Sequence, residues 1–479
     1  MNHQELAPST DADQPVVPRA PWLTPRRLTL FVISWLGLFA LGSVLIANPF
    51  QSEPSAQATP NYANVMYLHG LLIGMVGLMA LLALQVMQIK SRHAMLWISV
   101  GVVFATVLAS VGGIFDRTIP GSEVPMWTQI IGFFALDEIL LVLIIALFAA
   151  RKRVAALGRL PVFAGVAAAT AMLGAALMGH LAGWIMEFGD NVPPALASYR
   201  GAVGFDSASS FTAALVGSHS HEMAVGAMAL AMTMLAVQFG YVRLSGTART
   251  VARVGMGMVS FGVVAMALFY IATGITAWTP PAAISQLGTS PNAIPIDDLL
   301  TGVFVMGGGV VVALSFIRSL IQTPVRLAAA WAWILTVATV VVAGYSIELH
   351  TTFFGAGDPT AAGAANDGVF TWLHQDVGLF LLPTVLVIML AVERLVVRRV
   401  HRNEIAWTAM AGTTLLFIGG MVWVFIDPAL SGTGFLVSTA GVLVTDLAVL
   451  GTLWYAGLSR ITSIQHARTL QPPRAHPVR

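Results

Sequence analysis

The chain has 479 residues, 57% of them hydrophobic and 10% charged, whereas a soluble domain carries roughly 25% charged residues. This excludes a soluble globular protein, and the formal charge of +2 gives no basis for nucleic-acid binding. Cysteine is absent, which excludes disulfides, thiolate nucleophiles, iron–sulfur ligation and covalent c-type haem attachment. Any bound metal must be held by His, Met, Tyr or carboxylate.

In chain order, residues 1–24 are polar and Pro-rich and read as a disordered cytoplasmic tail without the short apolar core of a cleaved signal. Twelve apolar runs follow, each near the length of a spanning helix, about 20 residues. They predict spans at 28–48, 64–88, 95–115, 127–150, 160–186, 210–239, 252–276, 299–317, 327–347, 371–392, 405–426 and 434–457. The predicted fold is therefore all-α and polytopic, with a twelve-helix membrane domain over 25–460 and a second cytoplasmic tail over 461–479. Of the 24 Lys and Arg residues, Arg117 and Arg200 alone fall in connections after odd-numbered spans. By the positive-inside rule both termini face the cytoplasm, which places the protein in a cell (inner or plasma) membrane. The outward loops are long and rich in Pro, Asp and aromatics, as for loops that cap something.

Spans 2, 6 and 10 start alike: "NVMYLHGLLIGMVGL", "LVGSHSHEMAVGAMAL" and "VFTWLHQDVGLFLLP". Each enters from the outside with a His in its first turns and a Gly four or five residues later: His69 and Gly74, His221 and Gly226, His374 and Gly378. The histidines recur about every 150 residues, as expected of three four-helix units in series, over about 28–150, 160–317 and 327–457.

Five of the eleven histidines lie on the cytoplasmic side or in the tails. His69, His180, His219, His221, His350 and His374 fall at outer span ends. An ionisable group inside a span costs about 2.5–3.5 kcal/mol on insertion scales unless it has a partner or a function. On an α-helix, residues two apart point about 200° apart, so His219 and His221 face opposite sides and do not chelate one metal. The His-x-His pair instead suits a helix wedged between two centres, and haem, which is planar and takes an axial imidazole, is the natural group. His69, His219, His221 and His374 are the candidate ligands; His180, His350 and Glu222 are further candidates, with an interfacial hydrogen-bonding role as the rival for His180 and His350. Arg117 and Arg200 are candidate partners of haem propionates.

Carboxylates inside spans are a second anomaly. Asp137 and Glu138 lie in "FFALDEILLVLI", Asp446 in "GVLVTDLAVLG", and Glu222 and Asp376 follow histidines. Asp137, Glu138, Asp376 and Asp446 are candidates for a proton path. Glu222 and Asp376 are also candidate acceptors that orient neighbouring imidazoles.

Twelve spans, cytoplasmic termini and His at the outer ends of spans 2, 6 and 10 resemble the catalytic subunit of the haem–copper oxidase and nitric oxide reductase superfamily. "NYANVMYLHGLLIGMVGLMALL" is similar to that family's second span, whose His is an axial ligand of the low-spin haem. The family carries a His-x-His on span 10 and an adjacent His pair on span 7. Here span 7, "RVGMGMVSFGVVAMALFYIATGI", has no His, span 10 has His374 alone, and the His-x-His stands on span 6. Threefold symmetry allows the roles to be rotated by one unit. His221 or His219 would then pair with His374 about one haem, and the other would serve a second centre faced by His69. "HSHEM" also resembles the "HAHEM"-type motif of a haem- and copper-containing membrane family linked to the nitric oxide response.

The resemblance implies one or two haems, b-type, with copper or non-haem iron as a possible second metal. It also implies O2 or NO as the small ligand and a cytochrome c-like subunit or other electron donor as partner. Three functions stand open on the sequence: a reductase of O2 or NO, a haem protein without turnover (an electron conduit or gas sensor), and a cofactor-free proton-coupled transporter.

Overall fold

The computed structural model describes residues 25–42, 62–89, 91–112, 124–154, 157–188, 194–203, 208–275, 299–354, 372–426 and 432–469. Among these residues there is helix and no strand. Among the described residues nine helices are long and apolar enough to cross a membrane, and three shorter apolar helices accompany them. The chain is an all-helical, multi-pass membrane protein.

The principal helices are α1 (Pro25–Gly42), α2 (Tyr62–Val86), α3 (Arg92–Phe104, continued by a π-helical turn Ala105–Ala109) and α4 (Val124–Ala149). Then come α5 (Arg159–Phe188), α6 (Ala208–Gln238), α7 (Gly246–Ile275) and α8 (π-helical Leu299–Gly307, then Gly308–Ser315). The last are α9 (Pro324–Phe354), α10 (π-helical Trp372–Leu381, then Leu382–Leu395), α11 (Arg399–Phe425) and α12 (Thr433–Thr469). Nine of the expected spans coincide with helices of crossing length, and the expected spans 1, 2 and 8 overlap the three shorter apolar helices. The boundaries shift most at the ends: α9 runs past its expected limit to Phe354, and α12 continues into the expected tail to Thr469. The expected outward loop before α6 also contains a short helix, Pro194–Ala202. The N-terminal tail and most of the outward loops, with Arg117, lie outside the described residues.

Local chemistry sets the turns. The Ser91 hydroxyl accepts from the Ala94 amide at 3.2 Å and so starts α3. Gly240, at φ 89°, takes the left-handed conformation that stops α6. Between neighbours, glycine allows backbone contact: at Gly441 of α12 a Cβ would stand 2.3 Å from the Leu416 amide of α11. Without a hydrophobic drive between helices in lipid, such close packing is what joins them.

Three helices are set apart by burial. The apolar windows of α6 and α10 are 89% buried, against 44–56% for the other long spans. In α2 every described hydrophobic side chain from Leu72 to Val86 is buried. These three touch one another, the remaining helices pack around them, and α1 meets α12. The helices at the centre are those that carry His69, the His219/His221 pair and His374.

Candidate functional site

At their C-terminal ends α6 and α10 are tied by polar side chains. Glu393 of α10 takes the Arg326 Nε–H of α9 at 2.7 Å and the Gln238 amide of α6 at 2.8 Å. Arg326 also donates to Ser319 at 2.7 Å, and Arg394 donates to the Gln238 carbonyl oxygen at 3.0 Å. Each of these hydrogen-bonded side chains has a partner of the right kind, which is what a partly buried charged cluster needs.

Toward their N-terminal ends the two helices carry imidazoles. The His219 Nδ1 lies 2.7 Å from the Ala175 carbonyl oxygen of α5. The His221 Nδ1 lies 2.9 Å from the Gly217 carbonyl oxygen, one turn back on its own helix. The His374 Nδ1 lies 3.3 Å from the Val340 carbonyl oxygen of α9. A carbonyl only accepts, so in each case Nδ1 carries the proton and the lone pair is on Nε2. Metal-bound histidines are held in this way, with the other ring N–H given to a carbonyl or carboxylate.

The two members of the His-x-His pair do point apart. His219 packs on α5, where a Cβ at Gly179 would lie 2.6 Å from its ring. His221 faces Tyr270 of α7, with ring centroids 5.7 Å apart, and His374 of α10 at 6.5 Å. Two metal–nitrogen bonds of about 2.0 Å and two ring radii of about 1.1 Å sum to about 6.2 Å between the centroids of axial imidazoles on one iron. The His221–His374 pair fits that separation.

Glu222 shares the α5-facing side of α6 with His219. Its residue is 1% exposed, and neither carboxylate oxygen has a hydrogen-bond partner. The expectation that Glu222 orients a neighbouring imidazole is therefore corrected: the Ala175 carbonyl, not Glu222, takes the proton of His219. Asp446 in α12 is likewise buried without a hydrogen bond.

His180 stands apart from the other histidines. Its Nε2 lies 2.7 Å from the Asp137 Oδ2 of α4, and its ring stacks on Phe134 at 4.9 Å. The imidazole and the carboxylate thus form a close polar pair between α5 and α4. Glu138, expected to be buried, is exposed on the outer face of α4. Arg200 is half-buried in the last turn of Pro194–Ala202, and Tyr199 ties that short helix to the end of α7 by donating to the Ile275 carbonyl at 2.8 Å. His69 lies on α2, His350 on α9 and Asp376 on α10, with side chains outside the described residues. Among the described residues no group of three or more His, Asp or Glu is placed to hold a metal ion.

Sequence reasoning missed Tyr270 and Gly179. A lone tyrosine hydroxyl in the apolar run "ALFYIATGI" was the available signal for the first. Nothing local marked the second, because its role depends on α6 lying against α5. No protein-family model, characterised sequence or solved structure matches the chain.

Proposed function

We propose that the chain is a haem-binding membrane redox protein that binds or reduces O2 or NO near its outer face. His221 and His374 would hold one haem, and His219, on the other side of α6, would serve a second centre toward α5. The observation that carries this reading is the pairing of His221 with His374 at 6.5 Å, each with Nδ1 anchored to a backbone carbonyl. Haem supplies an iron that accepts and passes single electrons or binds a diatomic ligand. The protein's part is to fix the imidazole tautomers, keep the site dry among buried helices and place Tyr270 beside His221.

The threefold arrangement belongs to the same proposal. The central helices share their inner ends as well as their outer ones: Leu82-Ala83-Leu84-Gln85, Leu235-Ala236-Val237-Gln238 and Leu390-Ala391-Val392-Glu393. Gln238 and Glu393, at matching places in two units, bond to each other. Both termini on the cytoplasmic side and twelve crossings follow from the charge pattern under this reading. A haem protein without turnover is the second reading, favoured by the absence of His from span 7.

The test is a reduced-minus-oxidised absorbance spectrum of protein purified from a haem-replete host. A Soret band with sharp α bands is expected, and CO or NO should shift only a component with an open axial position. A colourless preparation would leave the transporter reading.

A further inference from the structure

Helices α3 and α4 come together at glycines. A Cβ at Gly132 of α4 would meet the Ala109 backbone, and one at Gly101 of α3 would lie 2.8 Å from the Ile139 side chain of α4. Past Gly101 the contact opens into a groove of about 660 Å³ between the start of α3 and the end of α4, a volume in the range of ligand sites. Its walls are made of small side chains: Ala94 and Ala146 are buried, and Ala149 lines the same space. Its rims, Trp97 and Ile145, are 53% and 57% exposed, so the groove opens sideways toward lipid. The polar part of the lining, Ser91, His93 and Lys152, gathers at the helix ends. The charged residues of 86–100 and 140–160 are Lys90, Arg92, Arg151, Lys152, Arg153 and Arg159, without one Asp or Glu. At the end of α10 and the start of α11, by contrast, carboxylates answer the bases: Arg326 bonds to Glu393, and His401 lies against Glu404.

We infer that this groove holds one anionic phospholipid, with its phosphate at Lys152 and an acyl chain laid along Ala94, Ala146 and Ala149. The occupant must enter from the bilayer, fill an apolar channel and present an anion to a basic end; an anionic phospholipid does all three. The end offers donors suited to a phosphodiester. Lys152 brings a point charge and His93 a ring N–H, and Ser91 offers its O–H, since its oxygen already accepts from the Ala94 amide. A zwitterionic lipid carries its own cation and would set it among the same basic residues. Trp97 stands one turn from His93 on the same face of α3, as indoles do beside headgroups. The charge pattern turns this end of both helices toward the cytoplasm, where anionic lipids attract basic segments. Seated there, the lipid bridges α3 and α4 over the stretch where their glycine contacts have ended.

Lipid capture is independent of any haem, so the full chain is tested as purified. Protein washed in detergent is mixed with dioleoyl-phosphatidylglycerol or dioleoyl-phosphatidylcholine, and the lipid retained per chain is counted by native mass spectrometry. A single retained phosphatidylglycerol is expected, with phosphatidylcholine held far less. Lys152→Gln should weaken retention about fivefold, the share of one basic residue at a lipid surface. Ala149→Trp, which puts an indole into the groove, should weaken it about tenfold or more. Both positions are exposed, so folding should be preserved. Arg318→Gln, an exposed basic residue on a different helix, should leave retention unchanged. Equal retention of the two lipids, or equal losses in Arg318→Gln and Lys152→Gln, would mean a general lipid coat and overturn the inference. A lipid count that Ala149→Trp does not lower would do the same. So would a polypeptide that crosslinks to the Ala149→Cys variant of this cysteine-free chain in the membrane and keeps the lipid out.

Discussion

The two ends of the α6–α10 pair are built on opposite principles. At the C-terminal end, Glu393, Arg326, Gln238, Arg394 and Ser319 form a connected cluster. Toward the N-terminal end, imidazoles hang on backbone carbonyls and a buried carboxylate, Glu222, has no hydrogen-bond partner. A satisfied cluster specifies how helices dock. Buried polar groups without partners are held at a stability cost, and such groups are the candidates for a functional role. The contrast separates the clamp from the site on one pair of helices.

The strongest way to break the comparison is to remove imidazoles. His221→Ala and His374→Ala should each abolish the same haem absorbance component, and His219→Ala should leave that component in place and remove another. If His219→Ala and His221→Ala erase one and the same band, the two-sided geometry of α6 is wrong. Next in size is Glu393→Ala, which strands Arg326 in a partly buried position. Loss of one partner of a fully buried pair costs about 3–5 kcal/mol, and partial exposure reduces this to about 2 kcal/mol. Thermal unfolding in detergent should register the loss, with the haem spectrum kept in the protein that remains folded.

Gly179→Ala probes the site from its other side. Its Cβ would collide with the His219 ring, and overpacking of this kind costs about 1–3 kcal/mol. The component assigned to His219 should shift while the His221/His374 component stays. The smallest effect belongs to the packing around the site. Trp331→Phe removes a 2.9 Å bond from the indole N–H to the Thr414 hydroxyl between α9 and α11. A drop of about 1 kcal/mol in stability, without spectral change, is expected.

Much of this was legible in the chain. Long apolar runs separated by sorted charge fix helices and their limits, because the bilayer permits few other ways to satisfy a backbone. The opposed directions of His219 and His221 follow from helical pitch alone. The exposure of Glu138 was not legible: "ALDEILL" is equally apolar on both sides, so no periodicity says which face meets lipid. The surroundings of Glu222 and His180 were not legible for a related reason. Their partners, or lack of them, depend on α5 and α4, which are remote in the chain.

The sequence by itself determined a helical membrane protein with histidines recurring about every 150 residues in its apolar runs, since hydropathy and helix pitch are local properties. Tertiary packing alone decided that His221 meets His374, that His219 lies against Gly179, and that Asp137 and His180 pair beside Phe134. Within a span nearly every residue is apolar, so the pattern that tells inside from outside in a soluble helix is absent. Which face is buried is then set by the shapes of neighbouring helices.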